Sequence, residues 1–156
     1  QPALDKLTIL HFNDVYNIEE VKTDPVGGAA RFKTALDSFK HLDPLILFSG
    51  DLFQPSLCKI ITLHILILIY SGTLYNGEQM IKPVNDFNVD VACFGNHEFV
   101  KNLFQGVKYN TLSKDLDIGE LTGLIKKTNF PWLLSNVKDV ETLEPLCAGK
   151  EYHVLT

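Results

Sequence analysis

The chain has 156 residues, 46% of them hydrophobic and 21% charged, with a formal net charge of -5. That length and composition suit one domain with a sizeable core. A negative balance without any Lys/Arg cluster leaves no electrostatic footprint for nucleic acid, and Cys58, Cys93 and Cys147 are odd in number and too widely spaced for a disulfide framework or a zinc knuckle.

In chain order, an apolar run over residues 7–12 predicts a strand that ends at Asn13-Asp14. Gly27-Gly28 suits a loop entering a helix over residues 29–41, whose Ala30, Phe32, Leu36 and Phe39 form an apolar stripe. A second run, residues 45–49, ends at Gly50-Asp51. Residues 58–70 (CKIITLHILILIY) are much more apolar than their surroundings. At about a dozen residues the segment is too short for a membrane span, which needs roughly twenty, and His64 argues further against one. It reads either as a buried strand or helix or, preferably, as an insertion that the fold never selected. A helix over residues 77–87 then precedes a strand over residues 89–94, which ends at Gly95-Asn96-His97-Glu98. The dispersed charges Lys101, Lys108, Lys114 and Asp115 are expected to face solvent. A helix over residues 118–128 and a strand over residues 132–135 follow, and Tyr152-His153-Val154 looks like part of a further strand. Such alternation predicts an α/β domain. The continuous apolar runs are those of strands covered on both faces, with Cys93 a small core residue.

Three of these strands end in an Asp or an Asn-His pair. A lone Asp after a strand is ordinarily a turn residue or a helix cap, but three such ends in series, the third carrying Asn-His-Glu, point to a metal site. Ligands of parallel sheets gather beyond the carboxyl ends of the strands, where Asp14, Asp51, Asn96 and His97 are expected. Hard oxygen donors beside an imidazole suit a divalent cation, and a carboxylate reaching two cations suits a two-metal centre.

His11-Phe12-Asn13-Asp14, Gly50-Asp51 and Gly95-Asn96-His97-Glu98 resemble, in order and spacing, the first three motifs of the calcineurin-like metallophosphoesterases. The flanking text, LTILHFNDVYNI at residues 7–18, GGAARF at 27–32, GEQM at 77–80 and FPWLLSNV at 130–137, is similar to the amino-terminal catalytic domain of the 5'-nucleotidase branch. The resemblance implies a four-layer αββα sandwich, of which this chain is the first half. It further implies two divalent ions of the Zn, Mn or Mg class, with Asp51 bridging them, Asp14 a ligand of the first and Asn96 a ligand of the second. His97 would face the leaving group and donate a proton to the departing alkoxide. Glu98 and His11 are read as groups that fix the ligands' orientation rather than as direct ligands.

Departures from the family pattern are equally specific. The first motif is usually Asp-x-His, and here its third position is Tyr16, a poor ligand at neutral pH. The family also places an Asp three residues after the catalytic His to orient that ring, where this chain has Val100. Removing residues 100–116 joins GNHEF to DIGELTGLIKK and restores the motif, which makes Asp117 the displaced partner of His97. A surface loop, an alternative exon or translated intron sequence would each account for the insertion.

The later His motifs that complete both metal sites in the family find no match, and the chain starts at Gln1 and stops at Thr156, so residues 1–156 are read as a partial domain with insertions at about 58–70 and 100–116. The function implied is metal-dependent hydrolysis of phosphate monoesters, nucleotides above all, in nucleotide catabolism. Its alternative is a catalytically incompetent fragment or non-enzymatic remnant of such a domain. No membrane span is expected, and localisation stays open.

Overall fold

A computed structural model describes residues 6–53, 77–99 and 118–155. The two segments read as insertions, 58–70 and 100–116, lie outside the described residues, as does Asp117. Four short parallel strands, β1 (Ile9–Phe12), β2 (Leu45–Phe48), β3 (Val91–Cys93) and β4 (Trp132–Leu133), form one sheet in the order β1-β2-β3-β4. Helices α1 (Ala29–Ser38), α2 (Ile81–Asp86) and α3 (Ile118–Ile125) are interleaved with them.

The register pairs Leu10 with Ile46, Phe12 with Phe48, Phe48 with Ala92, and Ala92 with Trp132, so these side chains share one face. When strand order follows chain order, right-handed crossovers return each helix to the same side. Accordingly Leu36 of α1, Val84 of α2 and Leu121, Leu124 and Ile125 of α3 are buried in a single core with Phe48 and Trp132. Phe48 and Phe87 are each 2% exposed, and burial of a side chain of that size contributes about 1.5–3 kcal/mol. Trp132 anchors the upper end of this core: the rings of Phe48, Phe53, Phe94 and Phe130 lie 5.1–5.8 Å from it, and its Nε1 donates to Thr128 Oγ1 at 2.9 Å.

The opposite face of the sheet is open in character. Ile9 and Cys93 are exposed there, and Leu45, Leu47, Val91 and Leu133 are only half-buried. Cys93 is therefore not a core residue, because alternation along β3 turns Ala92 inward and Cys93 outward. Parallel sheets are ordinarily covered on both faces, and this is the side on which a second sheet of the αββα sandwich would pack.

Several elements are shorter than the sequence patterns predict. Helix α1 stops at Ser38 and a 3-10 turn, Lys40–Leu42, ends at Asp43 in a left-handed conformation (φ 48°). Its inward stripe is Ala29, Phe32 and Leu36, while Ala30 and Phe39 face outward. A 3-10 turn, Glu78–Met80, precedes α2. The bridge from Leu133 to Lys150 is isolated, and Tyr152, His153 and Val154 are exposed without regular structure, so the strand expected around His153 is absent among the described residues. No helix among the described residues is long and apolar enough to cross a membrane.

Candidate functional site

The carboxyl ends of β1, β2 and β3 lie side by side, and each turns sharply. Asp14 and Asp51, the residues that follow β1 and β2, both have left-handed backbones, with φ of 59° and 64°. That region is sparsely populated by residues other than glycine and costs on the order of 1–3 kcal/mol. Two glycines let the β2 and β3 loops touch: a Cβ on Gly50 would stand 2.2 Å from the Gly95 nitrogen, and one on Gly95 would stand 2.1 Å from Asp51 Oδ1. Phe53 and Phe94, immediately beyond and before these loops, pack on Trp132 and tie both loops to the core.

The two carboxylates converge on one phenol. Tyr16 donates its hydroxyl to Asp14 Oδ1 at 2.5 Å and to Asp51 Oδ2 at 3.0 Å. Burial, reinforced by these two carboxylates, pushes the phenol pKa well above its ordinary value and keeps Tyr16 a donor. The Asp14 amide donates to the Gly50 carbonyl at 3.1 Å, joining the β1 and β2 loops, and the Asn13 side-chain amide donates to Asp14 Oδ2. His97 enters from the third loop, its backbone N–H donating to Asp51 Oδ1 at 2.8 Å and its ring lying edge-on to Tyr16 at 5.5 Å.

The sequence-predicted residues Asp14, Asp51 and His97 thus meet at one rim, with Asp51 on the loop after β2, the strand between β1 and β3. Asn96 is exposed on the same turn, between Gly95 and His97, and its carbonyl accepts from the Phe99 amide at 3.2 Å. His97 Nδ1 is buried and has no partner among the described residues; Asp117, expected to orient this ring, lies outside them.

Glu98 does not face the rim. It is buried beneath it, where Oε2 accepts from the amides of Asp51 at 2.8 Å and Gly95 at 2.7 Å and Oε1 accepts from those of Leu52 at 2.5 Å and Phe53 at 3.4 Å. Burial pushes its pKa up, while the backbone N–H groups of Leu52, Asp51 and Gly95 pull it down. His11, on the open side of the sheet, has Nε2 2.5 Å from Ser49 Oγ. What the sequence did not reveal is that Tyr16 joins the two carboxylates; its spacing of two residues from Asp14 was the available signal.

A cleft of about 510 Å³ opens beside Asp14 and Tyr16 and is bounded by Phe12, Gly28, Arg31 and Phe32. The donor set fits a divalent cation in part. Two carboxylates already share an electropositive partner, the Tyr16 hydroxyl hydrogen, and carboxylate and amide oxygens are the donors hard cations take. Among the described residues, however, no three His, Cys, Asp or Glu side chains surround a common point, so these donors amount to part of a centre.

The 5'-nucleotidase of Bos taurus is 29% identical over 165 residues, taking in 97% of this chain and 24% of that protein. The snake venom 5'-nucleotidase of Gloydius brevicauda is 28% identical over 144 residues, covering 85% of this chain and 20% of that protein. The chain therefore spans about a quarter or less of the length of the curated relatives it matches. Among solved structures, the calcineurin-like phosphoesterase YfkN from Bacillus subtilis shares the fold with a TM-score of 0.52 and 19% identity, over 89% of this chain and 40% of that one. The sequence pattern of the calcineurin-like phosphoesterases matches residues 7–153, and the chain belongs to that family.

Proposed function

We propose that these residues form the amino-terminal part of the active site of a metal-dependent phosphoric monoester hydrolase of the 5'-nucleotidase type, acting on nucleotides. The observation that carries the reading is the convergence of Asp14 and Asp51, both on left-handed turns, upon one hydroxyl with His97 beside them. Asp51, Asp14 and Asn96 would hold two divalent ions of the Zn, Mn or Mg class, with Asp51 reaching both. When bound, the ions supply a Lewis acid for the phosphoryl oxygens and activate the attacking water. His97 donates a proton or hydrogen bond to the leaving alkoxide, its ring oriented by Asp117. Tyr16 holds the two carboxylates together from one side. The described residues supply only part of the ligands a two-metal centre needs, so the division proposed here leaves the remainder to residues outside them.

The test is phosphate release from nucleoside 5'-monophosphates by the complete protein carrying these residues, with Mn²⁺ or Zn²⁺ added. Asp51→Asn should abolish turnover and weaken Mn²⁺ binding by more than about a hundredfold, since loss of even a ligand's supporting partner costs about ten- to a hundredfold. Residues 1–156 alone should be at best feebly active. Retention of activity by the Asp51→Asn variant, or no release from any nucleotide with any of the three metals, would refute the reading; strong activity of residues 1–156 alone would refute the division of the centre.

A further inference from the structure

We propose that Glu98 is a positioning residue for Asp51: a buried carboxylate that gathers the backbone of two loops and thereby sets where the Asp51 side chain stands. The inference rests on the reading of Asp51 as a cation ligand. Glu98 is 6% exposed and is the buried charged side chain among the described residues. A carboxylate in such a place is tolerated only when its oxygens are satisfied. Four backbone N–H groups satisfy it, three from consecutive residues Asp51, Leu52 and Phe53 after β2 and one from Gly95 after β3.

The consequence falls on Asp51. Its left-handed backbone is a conformation that the loop would leave if nothing held it, and the N–H of that same residue is one of the four that Glu98 accepts. The 3-10 turn carrying Glu98, His97–Phe99, also presents the His97 N–H to Asp51 Oδ1. One turn thus grips Asp51 twice, through its main chain and through one carboxylate oxygen, and leaves Oδ2 on the side of Tyr16 and Asp14. Gly95 is required by the same contact, because its α-hydrogens are all that fits against the Asp51 carboxylate. Glutamine at position 98 would keep the shape but convert one oxygen into a donor. Amides from at least one of the two loops would then face an NH₂ group instead of an acceptor.

The experiment titrates the complete protein with Mn²⁺ alone in four forms: unsubstituted, Glu98→Gln, Asp51→Asn and the double variant. Glu98→Gln should weaken Mn²⁺ binding by about tenfold to a hundredfold, and adding it to Asp51→Asn should weaken binding no further, because both changes act through one carboxylate. Unchanged affinity in Glu98→Gln alongside a loss in Asp51→Asn would overturn the positioning role while leaving the metal reading intact. Full additivity of the two losses would also overturn it, by assigning Glu98 a general structural role. If Asp51→Asn itself leaves affinity unchanged, the metal reading fails and this inference with it. Should Glu98→Gln not accumulate as folded protein, hydrogen exchange on the unsubstituted protein decides: the Leu52 and Gly95 amides should exchange far more slowly than exposed loop amides, and equal rates would refute the clamp.

Discussion

The two halves of the candidate site are built differently. Asp51 and His97 sit on loops fastened from below, by a buried carboxylate accepting four backbone N–H groups and by Phe53 and Phe94 packed against Trp132. Asp14 sits on an exposed turn after an edge strand, tied by one backbone hydrogen bond to Gly50 and by the side chains of Asn13 and Tyr16. Hydrogen bonds inside a core are shielded and hold one geometry, whereas those at a surface compete with water. The contrast suggests that the β2–β3 half arrives preorganised and the β1 half adjusts to what it binds.

The largest effect that would sharpen this contrast is expected at His97. Because the His97 backbone N–H, not its ring, holds Asp51, His97→Ala should keep the clamp and the metal while lowering turnover by about 10²- to 10⁴-fold. Parallel assays of kcat and bound Mn²⁺ check this, and equal loss of both would show that the ring itself maintains the fastened half. A smaller change is expected from Tyr16→His, which restores the usual Asp-x-His pattern at the adjustable half. An imidazole nitrogen is a better ligand than a neutral phenol, so Mn²⁺ affinity should rise several-fold. Weaker binding in this variant would mean that the phenol is needed to keep Asp14 and Asp51 together.

The smallest effect lies outside both halves, at Asp37 on α1. Hydrogen bonds from the Lys33 and Lys40 ammonium groups hold its carboxyl below the ordinary carboxylate range. In the window between the lowered folded pKa and the ordinary unfolded one, the unfolded chain binds more protons, so the stabilisation is present above that window and is lost as pH falls through it. Asp37→Asn should therefore cost little at neutral pH, less in high salt, and nothing below the window; thermal melts across pH measure it. A difference from the unsubstituted protein that grows on acidification would contradict the assignment.

Much of this organisation was legible in the residues. Apolar runs ending at Asp14, Asp51 and Asn96 gave the parallel strands and the rim, because burial demands continuous hydrophobicity and ligands demand polar ends. Cys93 was expected in the core because its run reads as a strand covered on both faces, whereas alternation along β3 turns it to the exposed face. Asn96, His97 and Glu98 look like a single display of ligands in one dimension. A 3-10 turn separates neighbours by about a third of a turn, leaving Asn96 exposed and Glu98 buried underneath. The Tyr16 contact was only half legible: its spacing of two residues signalled the bond to Asp14, whereas the bond to Asp51 depends on the approach of β1 and β2, a long-range relation that local spacing does not encode.

The left-handed turns at Asp14 and Asp51 carry one more consequence. At both positions glycine would relieve the backbone, yet it would also remove the carboxylates that accept from Tyr16 and, at Asp51, from the His97 amide. Each turn thus gives up some backbone ease to hold a carboxylate where Tyr16 can reach it.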